Sequence, residues 1–211
     1  MALVGHFLRE GEVFGDVGAN AGVYTVFAAK VCGARVHAVE PAPETLGALM
    51  QNIAANSIAD RVEVHPVALS DCRGTVAFSS GRDATNRITD ASVAGAQQVI
   101  AMRADDLFAG KGLVAIKVDV EGAEDPVFAV AGALLAEPQL RVLLIETVSS
   151  ALRAQLLREG FVEAFYDPFS RTFCDSQIAN GANNRLFLRD ITFVESRVRS
   201  GRTISYRGLT V

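Results

Sequence analysis

Residues 13–30 read VFGDVGANAGVYTVFAAK. A short apolar, β-prone run ends at Asp16 and Val17. Two glycines, Gly18 and Gly22, then flank Ala19-Asn20-Ala21, and an apolar-rich helical pattern follows. Glycine at such a turn supplies left-handed backbone or lets another group come close. The stretch therefore reads as strand, tight turn, helix, with an acid at the strand's end. In open α/β sheets that turn lies beyond the carboxyl ends of the strands, where ligands bind.

The pattern repeats outward from there. Strands are expected at 12–17, 35–40, 61–69, 112–120, 141–147, 161–167 and 184–190. Helices are expected at 22–33, ending on Gly33; at 43–57, opening on Pro43; at 124–136; and at 149–160, between Ser149 or Ser150 and Gly160. Pro66 should end regular pairing in the third strand. The middle is less regular, with a hairpin strand at 74–80, a polar loop at 81–97, and a short strand with a helical turn at 98–108. The run 141–147 is almost continuously apolar, as expected of a strand covered on both faces. Alternating strands and helices predict an α/β fold, a doubly wound, mostly parallel sheet with helices on both faces.

Composition bounds the rest. The 211 residues suit one domain with a full-sized core, 1–211, its centre at about 12–190 and a tail at 191–211. Half the residues are apolar and 21% are charged, which excludes disorder. A formal charge of −4 argues against a broad nucleic-acid footprint. Cys32, Cys72 and Cys174 are odd in number and widely spaced, so they read as thiols in a reducing compartment. The opening MALVGHFLREGEVF lacks the form of a secretory signal, and no stretch is long and apolar enough to span a membrane. A cytoplasmic protein is expected.

The opening turn discriminates between ligands. Dinucleotide sites read G-x-G-x-x-G, whereas here the middle glycine is Asn20. A carboxylate at Asp16 would repel a pyrophosphate but suits an ammonium group. A helix N-terminus beside it suits a carboxylate. Glu40 ends the second strand about twenty residues after the turn, where an acid takes ribose hydroxyls. Asp16 with Glu40 fits a ligand with an amino acid at one end and a nucleoside at the other, such as S-adenosylmethionine.

With those residues in place, FGDVGANAGVYT, VEPAPETLGALMQN, VALSD and IKVDVEGAE together resemble the successive motifs of the FkbM-type S-adenosylmethionine-dependent methyltransferases, over roughly residues 12–190. The resemblance implies a seven-stranded, Rossmann-like class I methyltransferase sheet with its last strand antiparallel, and O-methylation of sugars or polyketides. It places Asp16, Gly18, Asn20 and Gly22 on the methionine part, Glu40 on the ribose, Ala68 near the adenine, and Asp119 near the transferable methyl. Only residues 1–11 precede the first strand. A lid is therefore expected from the loop at 81–97, from the C-terminal segment 196–211 with Arg197, Arg199, Arg202 and Arg207, or from another chain.

Methyl transfer to oxygen needs positioning and a base. Asp119, Glu121, Glu124 and Glu146 fall at the ends of neighbouring strands. Asp119 or Glu121 is the expected base, and Glu124 complements its helix dipole. Metal-independent catalysis is favoured; Mg²⁺ held by Asp119, Glu146 and a water is the alternative. Lys117, inside an apolar strand, is expected to pair with one of these acids. His37 and His65 lie within strands and read as packed, and His6 has no evident partner. Tyr24 and Phe27 read as core. Arg82, Asp83, Asn86 and Arg87, or Phe165, Tyr166, Phe169, Phe173, Asn183 and Asn184, are candidate walls for the acceptor. A nicotinamide-dependent oxidoreductase and a non-catalytic S-adenosylmethionine-binding domain are the competing functions.

Overall fold

The computed structural model describes residues 1–79, 88–89, 92–93, 95–174, 184–206 and 209–210, the last pair and 205–206 by backbone only. The frame is a single large sheet. Its parallel strands are β1 (Val13–Val17), β2 (Arg35–Val39), β3 (Val62–His65), β7 (Leu113–Val118) and β8 (Val142–Ile145). β11 (Arg185–Leu188) runs antiparallel to both β8 and β9 (Val162–Asp167). With β10 (Thr172–Cys174) at one edge, the order is β10-β9-β11-β8-β7-β1-β2-β3. Strand order therefore reverses between β1 and β7, and ligand crevices open at such a point.

Two apolar layers hold the sheet. On one face, Phe14, Val36 and Ala38 pack with α1 (Ala2–Phe7), α2 (Val23–Val26), α3 (Pro43–Ala55) and α8 (Ile191–Arg199). On the other, Val17, Ile116 and Ile145 pack with α4 (Ala104–Phe108), α5 (Glu124–Ala129), α6 (Gly132–Ala136) and α7 (Ser150–Arg158). Phe14, Phe108, Phe128 and Phe187 have almost no exposed surface. Each such side chain contributes about 1.5–3 kcal/mol of transfer free energy.

The structure departs from the sequence pattern in particular places. The sheet has eight strands rather than seven, because β10 (Thr172–Cys174) turns back on β9 as an edge hairpin. The run 61–69 splits at Pro66, which has no N–H to continue the ladder. Its second half becomes β4 (Ala68–Leu69), which leaves the main sheet and joins β5 (Gly74–Phe78) and β6 (Gln97–Met102) in a separate three-stranded sheet. The first helix does not stay regular: Phe27–Val31 winds as a π-turn, with Cys32 N–H donating to the Phe27 carbonyl. The helix expected at 124–136 breaks into α5 and α6. Asp105, from α4, accepts from the amides of Ala133 and Leu134 at 2.9 and 2.8 Å and so caps α6 separately.

The segment beyond residue 190 opens with a helix. Asp190 caps α8 by accepting from Phe193 N–H, and Val194 and Val198 are fully buried against the α1 layer. Arg197 pairs with Glu12 at 2.7 Å and donates to the Phe7 carbonyl. Arg202 donates to the carbonyls of Val31 and Cys32. These arginines staple the C-terminal segment to the N-terminal elements, where a lid had been expected. Arg207 lies outside the described residues.

Just past the ends of β1 and β7, Gly18 lies close against the Asp119 backbone. Its φ is +70°, and an added Cβ would overlap the Asp119 carbonyl oxygen. Gly112 has φ +74° but open space around it. Gly112→Ala should therefore cost only the left-handed penalty of about 1–2 kcal/mol. Gly18→Ala should cost clearly more, because backbone must also move. Urea unfolding of the two variants measures the difference; equal losses would contradict the close approach described here.

Candidate active site

A cavity of about 390 Å³ opens at the carboxyl ends of β1, β2 and β7. That volume lies in the range of small-molecule sites. Gly18, Asn20, Glu40, Ala68, Asp119 and Glu121 line it, as does Glu146. Asp16 and Gly22 do not.

Glu40 organises one end. It is 6% exposed, yet its carboxylate reaches the cavity wall. One oxygen accepts from Asn20 N–H at 2.8 Å and the other from Ala42 N–H at 2.9 Å. Burial, the main cause, raises its pKa above the ordinary carboxylate value, and those two amides act against the rise. Asn20 is held at φ 51°, a left-handed conformation uncommon outside glycine. Beyond Glu40 the wall is apolar, made of Val67, Ala68, Leu69, Phe78 and Ile88.

The glycine turn is tied to the end of β2 and to itself. Gly18 and Ala19 N–H both donate to the Val39 carbonyl, Ala21 N–H to Asn20 Oδ1 and Gly22 N–H to the Ala19 carbonyl. The amides of Gly18, Ala19, Ala21 and Gly22 are thus spent on β2 and within the turn, which leaves the start of α2 to face a ligand. Gly22 serves packing: its φ is +90°, and a Cβ there would meet Leu49 at 2.6 Å. Val23 and Tyr24, in the first turn of α2, line the cavity instead.

Asp16 is fully buried and faces inward. Thr25 donates its hydroxyl to Asp16 Oδ2 at 2.6 Å, and Lys117 Nζ lies 3.7 Å from Oδ1. Burial raises its pKa against the pull of Lys117. Direct capture of a ligand ammonium by Asp16 is therefore not what the geometry offers. Lys117 is 5% exposed; it also lies 3.2 Å from Asp119, donates to the Gly18 carbonyl at 3.0 Å and sits over the Tyr24 ring. The cation on Tyr24 is this lysine.

At the other end, Asp119, Glu121 and Glu146 bring carboxylate oxygens within 4.8 Å of one another. Glu121 is held at φ 54°. Burial first, and contact with Asp119 second, push the Glu146 carboxyl up to about 7. Sequence reasoning placed Glu146 here but weighed it only as a metal ligand. Its protonation depends on the crowding of three acids from two strand ends, which no spacing reveals. Glu124 is buried and turns away, accepting from Val120 N–H. Three acids with oxygen donors also match the donor set of a hard divalent cation.

The other expected walls lie elsewhere. Phe165, Tyr166, Phe169, Phe173 and Asn184 do not line the cavity. Tyr166 packs on Phe173, and its hydroxyl lies 2.5 Å from His6 Nδ1, which gives that buried histidine a partner. Phe27 packs in the core. Arg82, Asp83, Asn86, Arg87 and Asn183 lie outside the described residues, as does most of the loop at 81–97. Among the described residues no helix is long and apolar enough to cross a membrane.

The methyltransferase FkbM domain profile matches residues 16–162, more than half of the chain. The chain belongs to that family. Membership implies S-adenosylmethionine as methyl donor. The 31-O-demethyl-FK506 methyltransferase FkbM of Streptomyces tacrolimicus is 42% identical over 79 residues, which are 37% of this chain and 30% of that relative. The match thus spans about a third of the relative's length. An rRNA methylase from Streptococcus thermophilus superposes with TM-score 0.50 at 11% identity, over 88% of this chain and 89% of that one. Sp1610 of Streptococcus pneumoniae, solved with S-adenosyl-L-methionine, gives 0.50 at 13% identity, over 88% and 68%. At these identities the two structures show a shared class I methyltransferase fold.

The acid cluster makes a prediction for stability. Above pH 7 an ionised Glu146 repels Asp119 and Glu121; near pH 5 it is protonated and does not. A raised folded-state pKa contributes stability at low pH that is lost as pH rises through about 7. Glu146→Gln should therefore raise Tm at pH 8 and leave it nearly unchanged at pH 5. Thermal melts at the two pH values test this, and a gain independent of pH would refute the crowding.

Proposed function

We propose that the chain is an S-adenosylmethionine-dependent methyltransferase that methylates a hydroxyl oxygen of a small molecule such as a sugar or polyketide. The observation that carries this reading is a cavity with a buried acid at one end and a proton-accepting acid cluster at the other. The residues present suit the cofactor. Glu40 keeps lone pairs free beyond its two amide bonds and would accept from both ribose hydroxyls. The apolar wall around Ala68 would hold the adenine. Gly18 and Asn20 would flank the methionine part. The amides of Val23 and Tyr24, at the start of α2 on the cavity side, would meet its carboxylate. S-adenosylmethionine supplies a methyl already activated by its sulfonium.

What the protein adds is position and a base. With a pKa of about 7, Glu146 is balanced to take a hydroxyl proton near neutral pH. Asp119 and Glu121, the bases expected from sequence, would accept from neighbouring hydroxyls of the acceptor and so orient it toward Glu146, and Lys117 would keep Asp119 in place. A divalent cation on Asp119, Glu121 and Glu146 is the second reading, favoured by their mutual spacing.

Labelled methyl transfer to a panel of hydroxylated sugars and polyketides tests the proposal. The rate should rise with pH through about 7. Glu146→Gln should lower kcat by about 10²–10⁴-fold. Chelation should leave the rate unchanged if the carboxylate acts alone and abolish it if a cation is held there. Cofactor binding with no transfer to any hydroxyl would overturn the proposal in favour of a binding domain, and transfer to RNA would overturn the small-molecule acceptor.

A further inference from the structure

A second cluster of metal-ligating side chains lies on the sheet, away from the acids of the cavity. His37 is on β2, and Glu63 and His65 are on the edge strand β3. In the parallel register His37 stands opposite Glu63, and His65 follows two residues on, so all three project from the same face. His37 Nδ1 is 3.0 Å from His65 Nε2 and 3.4 Å from a Glu63 oxygen; the other Glu63 oxygen is 3.7 Å from His65 Nε2. Tetrahedral ligands at a Zn–N distance of about 2.0–2.1 Å stand about 3.3 Å apart. The three separations bracket that value.

The surroundings suit a held cation. His37 is 9% exposed, and the edge of the Phe108 ring packs against it and fixes its plane. His37 Nδ1 and His65 Nε2 share one hydrogen bond, which a cation would replace, and the ligand atoms of all three residues lie within 4.8 Å of one another; the exposed Glu63 leaves a further position open toward solvent. Two imidazoles and a carboxylate are ligands of the borderline metals rather than of Mg²⁺. Lys111 is the opposing feature: its charge reaches both imidazoles, although its side chain is exposed and can swing away.

We propose that His37, Glu63 and His65 form a binding site for a divalent transition metal such as Zn²⁺, which ties β3 to β2. The site would brace the cofactor cavity from behind. The His65 carbonyl already accepts from Glu40 N–H at 3.1 Å and from Val67 N–H at 2.9 Å. A metal on the His65 ring would thus fix the strand ends that carry the ribose acid and the apolar wall, without lining the cavity itself.

The test is calorimetric titration of chelator-stripped protein with Zn²⁺, alongside Co²⁺ visible spectra and thermal melts. The protein should bind a single equivalent, show the intense bands of low-coordinate Co²⁺, and melt at higher temperature with Zn²⁺. His65→Asn and Glu63→Gln should each weaken binding by at least about tenfold. Lys111→Ala should tighten it. The Glu63 side chain is largely exposed, so Glu63→Gln should fold as well as the parent without metal, and it serves as the control if His65→Asn does not fold. No Zn²⁺ binding by the parent would overturn the proposal. So would binding that survives in a His37→Asn, His65→Asn double variant, since the metal would then sit elsewhere, for instance on Asp119, Glu121 and Glu146.

Discussion

A buried ammonium governs the centre of this protein. Lys117 Nζ sits at the tip of β7 with Asp16 on one side, Asp119 on the other and the Gly18 carbonyl in between. Taking such a charge out of water costs several kcal/mol unless partners surround it. The partners come from two strands and the intervening turn, so satisfying the lysine also fixes how β1 and β7 meet. Gly18 is glycine because that meeting leaves no room for a side chain. Asp16, which the turn displays to the reader of the sequence, is consumed in the same balance. The cavity forms over this neutralised core, with Asp119 as the one acid of the set that also reaches the wall.

Glu40 performs the corresponding task on the neighbouring strand. Its two oxygens tie the turn after β1 to the start of α3 through Asn20 and Ala42. A carboxylate so fixed loses little further freedom on meeting a ligand, and such preorganisation is what favours tight recognition. The far end of the cavity has a different character. There Asp119, Glu121 and Glu146 crowd, and the cheapest relief is for Glu146 to keep its proton to about neutral pH. On the proposed reading, one end binds the cofactor and the other exchanges a proton.

Much of this was legible in the residues. Alternation of strands and helices gave the parallel order, and the place of Glu40 followed from its distance past the glycine turn. Misreadings arose where local pattern met long-range contact. Asp16 shares a strand face with Phe14, so its pleat already directed it toward α2 and Thr25 rather than outward; parity along β1 carried that signal. The fate of the turn amides depended on the Val39 carbonyl, a neighbour only in the folded sheet. The split of α5 from α6 depended on Asp105, some thirty residues away in sequence. The pairing of His37 with Glu63 and His65 required the register of β2 against β3, which no single strand declares.

The central claim is that Glu40 and its tethered turn recognise the ribose of an adenosyl cofactor. Calorimetric binding of S-adenosylhomocysteine to the parent and to Glu40→Gln, with NAD as control, tests it most directly. Each hydrogen bond to a charged acceptor contributes about 1.5–3 kcal/mol, and every 1.4 kcal/mol is tenfold in affinity. The parent should bind S-adenosylhomocysteine and not NAD, and the variant should bind at least about a hundredfold more weakly while melting cooperatively. Unchanged affinity in Glu40→Gln, or binding of NAD in place of S-adenosylhomocysteine, would contradict the account.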